Sequence, residues 1–552
     1  MSPQYYSWER YWPPVERLHF IDCSGRQHQS MFATHVRRLA VDGLTQVEYL
    51  CPTYSRLEHV QLIHSPTWSE DSDHEEGDHD DDDYPTAEIP ADKQDIDSRV
   101  FYSTELHKDR SRILQFLRRH HQTLQRIEIK WDADLLSKVL TLLEDKTLFP
   151  KWKTLIAPDV PWIGLEATHA FWRACARLES LHLTGYRTHA PEVGSWPEFS
   201  LLQTLTLFGV HGLSVLKLVE LLAQCPRLKR LCWLIDEYFD VDDYTNSQLV
   251  IEDISVSEMS RRVIRGLAHL VGNGRLQELE SLELDLHYDY SPRMRMDEDA
   301  SIEKDLATVL DRVQPLKTLH VHGLDMDKAW SFPPLRRHFE TLTSLELGMP
   351  LGVESSRMVQ TILSSCAMLT WYQGNSIRAL DMMKDGRPWV CLALKSLELR
   401  IELELDPETK TPDCTRQEQQ SFVLAQLSRL RWLERLNFRG SISASDAWTR
   451  HGEVDTADPD LKLALAKKCD RQRRLDLRLC EGLDRLKTLT CLSTISFQGA
   501  LEWGSDEVDW ALEHWPKLQS IGRIAYGLVE NSGLVKRLED GYRRQLDISN
   551  DP

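Results

Sequence analysis

The chain has 552 residues and a formal net charge of −20, with 41% hydrophobic and 28% charged residues. This balance suits a soluble packed core and argues against non-specific nucleic-acid binding, which needs clustered Lys and Arg to displace counterions. Eleven cysteines without a C-x-x-C pair give no basis for a zinc ribbon or thioredoxin-type redox site, and no apolar run approaches the roughly 20 residues that span a bilayer.

Met1-Ser-Pro-Gln-Tyr-Tyr-Ser-Trp-Glu-Arg has no basic region followed by an apolar run, so a secretory signal is not expected and a cytoplasmic or nuclear location is. Val15-Glu-Arg-Leu18-His-Phe20 opens a pattern that recurs from Val36 and Leu57, each start 21 residues after the last. Residues 1–64 therefore read as short repeats. The pattern stops over 65–98, where ten acidic residues and no basic ones lie between Glu70 and Asp83. With almost no aliphatic periodicity, that stretch cannot offset its ordering entropy and reads as a disordered acidic loop.

The pattern then returns through residues 99–480. Leu178-Glu-Ser-Leu181-His-Leu183 is its plainest copy, followed by Leu202-Gln-Thr-Leu205-Thr-Leu207, Leu279-Glu-Ser-Leu282-Glu-Leu284 and Leu316-Lys-Thr-Leu319-His-Val321. Further copies open at Leu342, Leu394 and Leu433, with weaker ones at Leu369 and Leu518 that carry Gly374 and Arg523 where an aliphatic is expected. L-x-x-L-x-L repeated at this spacing is the core of a leucine-rich repeat, one short strand and one return per copy. Of fifteen intervals, ten fall between 21 and 28; one of 67 contains the acidic stretch, and those of 51, 37, 39 and 59 imply insertions or copies too degenerate to see. Apolar residues at helical spacing, as in Leu213–Cys225 (Val215, Leu216, Leu218, Val219, Leu221, Leu222), predict a helix on each return. The fold class is thus an α/β leucine-rich-repeat solenoid, a horseshoe with a parallel concave sheet and outer helices. Residues 481–552 read as terminal repeats and a C-terminal cap, including Trp503, Trp510, Trp515 and a helix over Leu534–Leu546.

Cys175, Cys225, Cys366 and Cys391 each stand three residues before a repeat's first leucine, where other copies hold Phe149, Phe199, Val313, Phe339 or Trp515. A cysteine alternating with large apolar residues reads as a buried hydrophobe closing the return. These C-x-x-L joins, with the 26-residue period, resemble the repeat half of F-box/leucine-rich-repeat proteins, and the irregular inserts resemble the fungal branch of that family. The resemblance implies a substrate-receptor-like subunit of a cullin-type ubiquitin ligase, docking through Skp1. No F-box is recognisable in the 14 residues before Val15. The rival reading is a regulatory scaffold independent of an F-box, such as a GTPase-regulator type of horseshoe.

No nucleophile elbow, phosphate loop, H-E-x-x-H or kinase set occurs, so no catalytic residue, cofactor or metal site is assigned. His320-Val-His322 has a spacing compatible with a metal, but no third ligand accompanies it. The x of each L-x-L points away from the core. Glu283, His320, Glu346 and Glu398 fall in that column and suit a protein partner with a basic surface. Loops after Leu234 and Leu286 add exposed aromatics beside acids: Asp236, Glu237, Tyr238 and Phe239, then Tyr288 and Tyr290. Such pairs suit a Lys/Arg-rich partner.

Overall fold

The computed structural model describes residues 38–42, 59–63, 114–129, 133–145, 147–158, 165–185, 196–209, 213, 215–234, 256–285, 296–322, 332–347, 353–403, 415–438, 475–498, 503 and 505–524. The acidic stretch and the segment Leu534–Leu546 lie outside them, as does the copy at Val15. The chain forms two compact units, residues 1–228 and 229–552.

In the first unit, β1 (Arg38–Asp42), β2 (His59–Ile63), β3 (Arg126–Ile129), β4 (Thr154–Pro158), β5 (Ser180–Thr184) and β6 (Thr204–Phe208) pair in parallel, each with the next. The second unit continues the scheme with β7 (Arg230–Leu234), β8 (Ser281–Asp285), β9 (Thr318–His322), β10 (Ser344–Leu347), β11 (Trp371–Arg378), β12 (Ser396–Glu402), β13 (Arg435–Phe438), β14 (Thr494–Gln498) and β15 (Ser520–Ile524). Every repeat start from Val36 onward has its strand. Because β7 pairs directly with β8, and β13 with β14, the intervals of 51 and 59 residues are insertions and hide no further repeat.

The strand leucines are the core. Leu181 and Leu183, Leu205 and Leu207, Leu282 and Leu284, and Leu397 and Leu399 are all essentially inaccessible. Alternation sends the residues between them to the other face, as in β5, where buried Leu181 and Leu183 alternate with half-buried Ser180, His182 and Thr184. The returns pack over the leucines. Long helices run over Ala133–Glu144, Leu165–Cys175, Val256–Gly272, Met296–Arg312, Val353–Leu363 and Arg416–Leu427. Thr415 starts the last of these as a capping box: its hydroxyl accepts from Glu418 N–H at 3.3 Å, and Glu418 Oε2 accepts from Thr415 N–H at 2.7 Å. Among the described residues, the return to β14 carries two 3-10 turns, Leu479–Glu481 and Leu483–Thr488, and that to β10 the five-residue helix Phe332–Arg336. Within Val215–Ala223 the apolar stripe is narrower than expected: Leu218, Leu221 and Leu222 are buried, but Leu216 is 62% exposed.

The slot three residues before each first leucine is a structural joint, as its residue types suggest. Its carbonyl accepts the leucine N–H in a tight turn, from Leu178 to Cys175, Leu228 to Cys225, Leu369 to Cys366, Leu394 to Cys391 and Leu518 to Trp515, all at 3.0–3.3 Å. The four cysteines are buried, and burial pushes the Cys366 and Cys391 thiols up to about 12, which leaves them protonated packing groups.

Two joints are built differently. Before β10, His338 is wholly buried. The Leu316 N–H donates to its Nδ1 at 2.9 Å, which fixes the other nitrogen as the donor to Leu310 O at 3.0 Å. Burial lowers its pKa, so the ring is a neutral clamp between two repeats. In β11 the missing aliphatic at Gly374 is replaced from two residues upstream. Tyr372 is fully buried, and a Cβ built on Gly374 would collide with its phenol. One large ring fills the space that two aliphatics share in other repeats.

Candidate binding face

Strand register assembles the face of the second unit opposite the leucines. Cys232 pairs with Glu283, Glu283 with His320, His320 with Glu346, Glu346 with Gln373, Gln373 with Glu398 and Glu398 with Asn437. The four strand residues expected from the sequence therefore form one column across adjacent strands, about 4.8 Å per step. Asp236, Glu237, Tyr238, Phe239, Tyr288 and Tyr290 lie outside the described residues.

These carboxylates are not simply solvated. The side chains of Glu283 and His320 are 17% and 13% accessible, and Glu346 is only 7% exposed, because neighbours on parallel strands crowd each other laterally. Burial raises the pKa of Glu283, aided by the negative charge of Glu346 and opposed by hydrogen bonds from the Cys232 and Ser281 side chains and by Arg230. His320 sits between the two acids. Its Nδ1 is 3.8 Å from Glu283 Oε2 and its Nε2 is hydrogen-bonded to Ser344 Oγ at 2.8 Å.

The neighbouring column runs from Arg230 through Ser281, Thr318, Ser344, Trp371 and Ser396 to Arg435, and is small and hydroxylated between these two arginines except at Trp371. Because Ser344 is short, the Trp371 ring reaches across it to lie 4.9 Å from the His320 ring. Sequence reasoning passed over this tryptophan; a single aromatic between Ser344 and Ser396 in that column was the available signal. Toward the other end of the strands, Arg400 Nε meets Glu402 Oε1 at 2.9 Å, both largely screened from solvent.

Ser344, His320 and Glu283 mimic the order of a nucleophile, base and orienting acid. The chemistry is not supported: the Ser344 N–H is committed to Lys317 O at 3.1 Å, and at 3.8 Å the Glu283 carboxylate is beyond hydrogen-bond reach of the imidazole. Among the described residues no three His, Cys, Asp or Glu converge on a metal site, and no helix is long and apolar enough to cross a membrane. The arrangement suits recognition, a rigid sheet presenting an acidic column beside one aromatic.

No protein-family model and no curated protein matches the chain. Among solved structures, a leucine-rich-repeat protein of Leptospira interrogans is similar over 74% of this chain and 91% of its own, at 11% identity and a TM-score of 0.29. At that level the likeness carries no weight, and the class follows from register and repeat. The protein is an α/β leucine-rich-repeat solenoid.

Proposed function

We propose that the protein is a non-enzymatic binding solenoid whose second unit holds a protein partner with a basic surface on the open sheet face. The observation that supports this reading most is the column Glu283–His320–Glu346–Gln373–Glu398, in which acids are crowded and partly desolvated beside Trp371. Partly dehydrated carboxylates on a fixed scaffold favour a cationic surface that offers them counter-charge, and Trp371 supplies contact area at low entropic cost. The finer role follows the F-box/leucine-rich-repeat resemblance: a substrate-receptor-like subunit acting with Skp1 and a cullin. The alternative is an F-box-independent regulatory scaffold of the GTPase-regulator type.

The test is an affinity pull-down with the full chain, comparing it with Glu346→Lys plus Glu398→Lys and identifying the eluate by mass spectrometry. A partner rich in Lys and Arg that is lost on charge reversal supports the face. Recovery of Skp1 and cullin selects the ligase role, and their absence beside a face-dependent partner selects the scaffold. Binding that ignores the double substitution sinks the reading.

A further inference from the structure

The turns that lead into β11, β12 and β13 carry a second surface of opposite character. Among the described residues, five large apolar side chains are exposed, and three of them fall in these consecutive turns: Met368 at 56%, Leu392 at 46% and Trp432 at 63%. Met368 and Trp432 immediately precede the first leucine of their repeats, and Leu392 stands one position earlier. In the first unit the same position also holds an exposed Leu201, but alone, since the repeats next in sequence put Arg177 and Arg227 there; further repeats put Lys151, Glu278, Thr341 or Lys517 directly before that leucine. Single exposed apolar residues need no explanation, whereas a row on adjacent repeats does.

Backbone geometry fixes this row outward. In each turn the slot residue and the first leucine are both buried and joined by the tight hydrogen bond described above, Leu369 to Cys366, Leu394 to Cys391 and Leu433 to Leu430. The residues between have nowhere inward to turn, so the apolar surface is preorganised. Direct pairing of β11 with β12 and of β12 with β13 keeps the three side chains on neighbouring steps, spanning about 10 Å from first to last.

The surroundings are basic in a chain of net charge −20. Lys395, Arg429 and Arg431 are exposed around the row, against Glu434, which pairs with Lys395 at 3.0 Å. On the next return Asp484 is followed by Arg485 and Lys487. Tryptophan flanked by arginine is the residue combination that dominates binding energy at interfaces. We propose that this edge docks an acidic peptide segment of a partner protein, with apolar anchors about three residues apart in an extended chain, a spacing that matches the row. It would work independently of the acidic sheet face, whose charge selects the opposite kind of partner.

The probe is a displayed library of short random peptides selected on the full chain, with recovered peptides measured by fluorescence anisotropy. Enrichment of sequences combining Asp or Glu with Leu, Phe or Trp is expected. Their affinity should fall about tenfold or more on Met368→Ser plus Trp432→Ser, and again on Arg431→Glu, with the thermal transition unchanged because these side chains are exposed. Glu346→Lys plus Glu398→Lys should leave it intact, which separates this surface from the sheet face. The proposal is overturned if no acidic-apolar sequences are enriched, or if those recovered bind the Met368 and Trp432 variant as well as the parent.

Discussion

Two histidines occupy equivalent places in the two units and show what the repeat leaves free. His182 and His320 are each the x of an L-x-L, and each is hydrogen-bonded through Nε2 to a serine hydroxyl at 2.8 Å. In the first unit the column around His182 is Glu128, Ile156 and Thr206, with Arg126 nearby, and burial plus that cation lower its pKa to about 4. In the second unit His320 stands between Glu283 and Glu346. The leucines beneath are the same. What differs is the residue on each adjacent strand, Ile156 and Thr206 in one case and two glutamates in the other, and charge on the open face is therefore a local choice that the fold does not dictate.

That comparison fails first if the core is more permissive than the face. Gly374→Leu forces the Tyr372 ring out of its place and should cost about 2–4 kcal/mol in denaturant unfolding. Adding Tyr372→Leu should recover much of the loss, because two aliphatics then fill the space as in other repeats. A neutral single variant, or a double variant no better than the single, would contradict the packing account.

The second prediction concerns His182. Its folded pKa of about 4 lies below the ordinary histidine value of 6.5, so the unfolded chain binds the proton first as pH falls. Stability from this group is complete above about pH 6.5 and is lost as pH drops toward about 4, a loss of roughly 3 kcal/mol at one pK unit per 1.36 kcal/mol. His182→Gln, which keeps a partner for Ser180, should flatten the acid limb of a urea-midpoint profile. An unchanged limb would remove His182 from the comparison.

His338→Ala should cost about 2–3 kcal/mol, since the Leu316 N–H and Leu310 carbonyl would be left buried without partners. His338→Gln, able to offer one acceptor and one donor, should retain part of that; equal losses in both would point to ring volume rather than hydrogen bonding.

The smallest effect carries the opposite pH sign. Glu283 has a raised folded pKa, so its stabilising contribution is present below the ordinary Glu range and is lost as pH rises through the folded value. Glu283→Gln should therefore stabilise the second unit slightly near neutrality, an advantage that vanishes in acid. Destabilisation at pH 7 by that substitution would mean that Arg230 and the hydroxyl and thiol donors outweigh burial.

Most of the framework was legible along the chain. L-x-x-L-x-L marks both the strand and its buried face because side chains alternate within a few residues, and even the weak copies at Leu369 and Leu518 became β11 and β15. The slot cysteines were legible for the same reason, being one turn from the leucine they join. The acidic column was readable as a list of residues, since equivalent positions in successive copies must align.

Only the tertiary structure decided what those positions meet. Nothing local says that β7 and β8 are adjacent across 51 residues, that Tyr372 fills the space of Gly374, or that His338 clamps Leu316 to Leu310. Nor does periodicity reveal that Trp371 leans over Ser344 to His320, or that Met368, Leu392 and Trp432 line up on one edge. The physical reason is range: alternation and turn geometry act over a few residues, whereas lateral packing, desolvation and charge pairing act between residues a whole repeat apart.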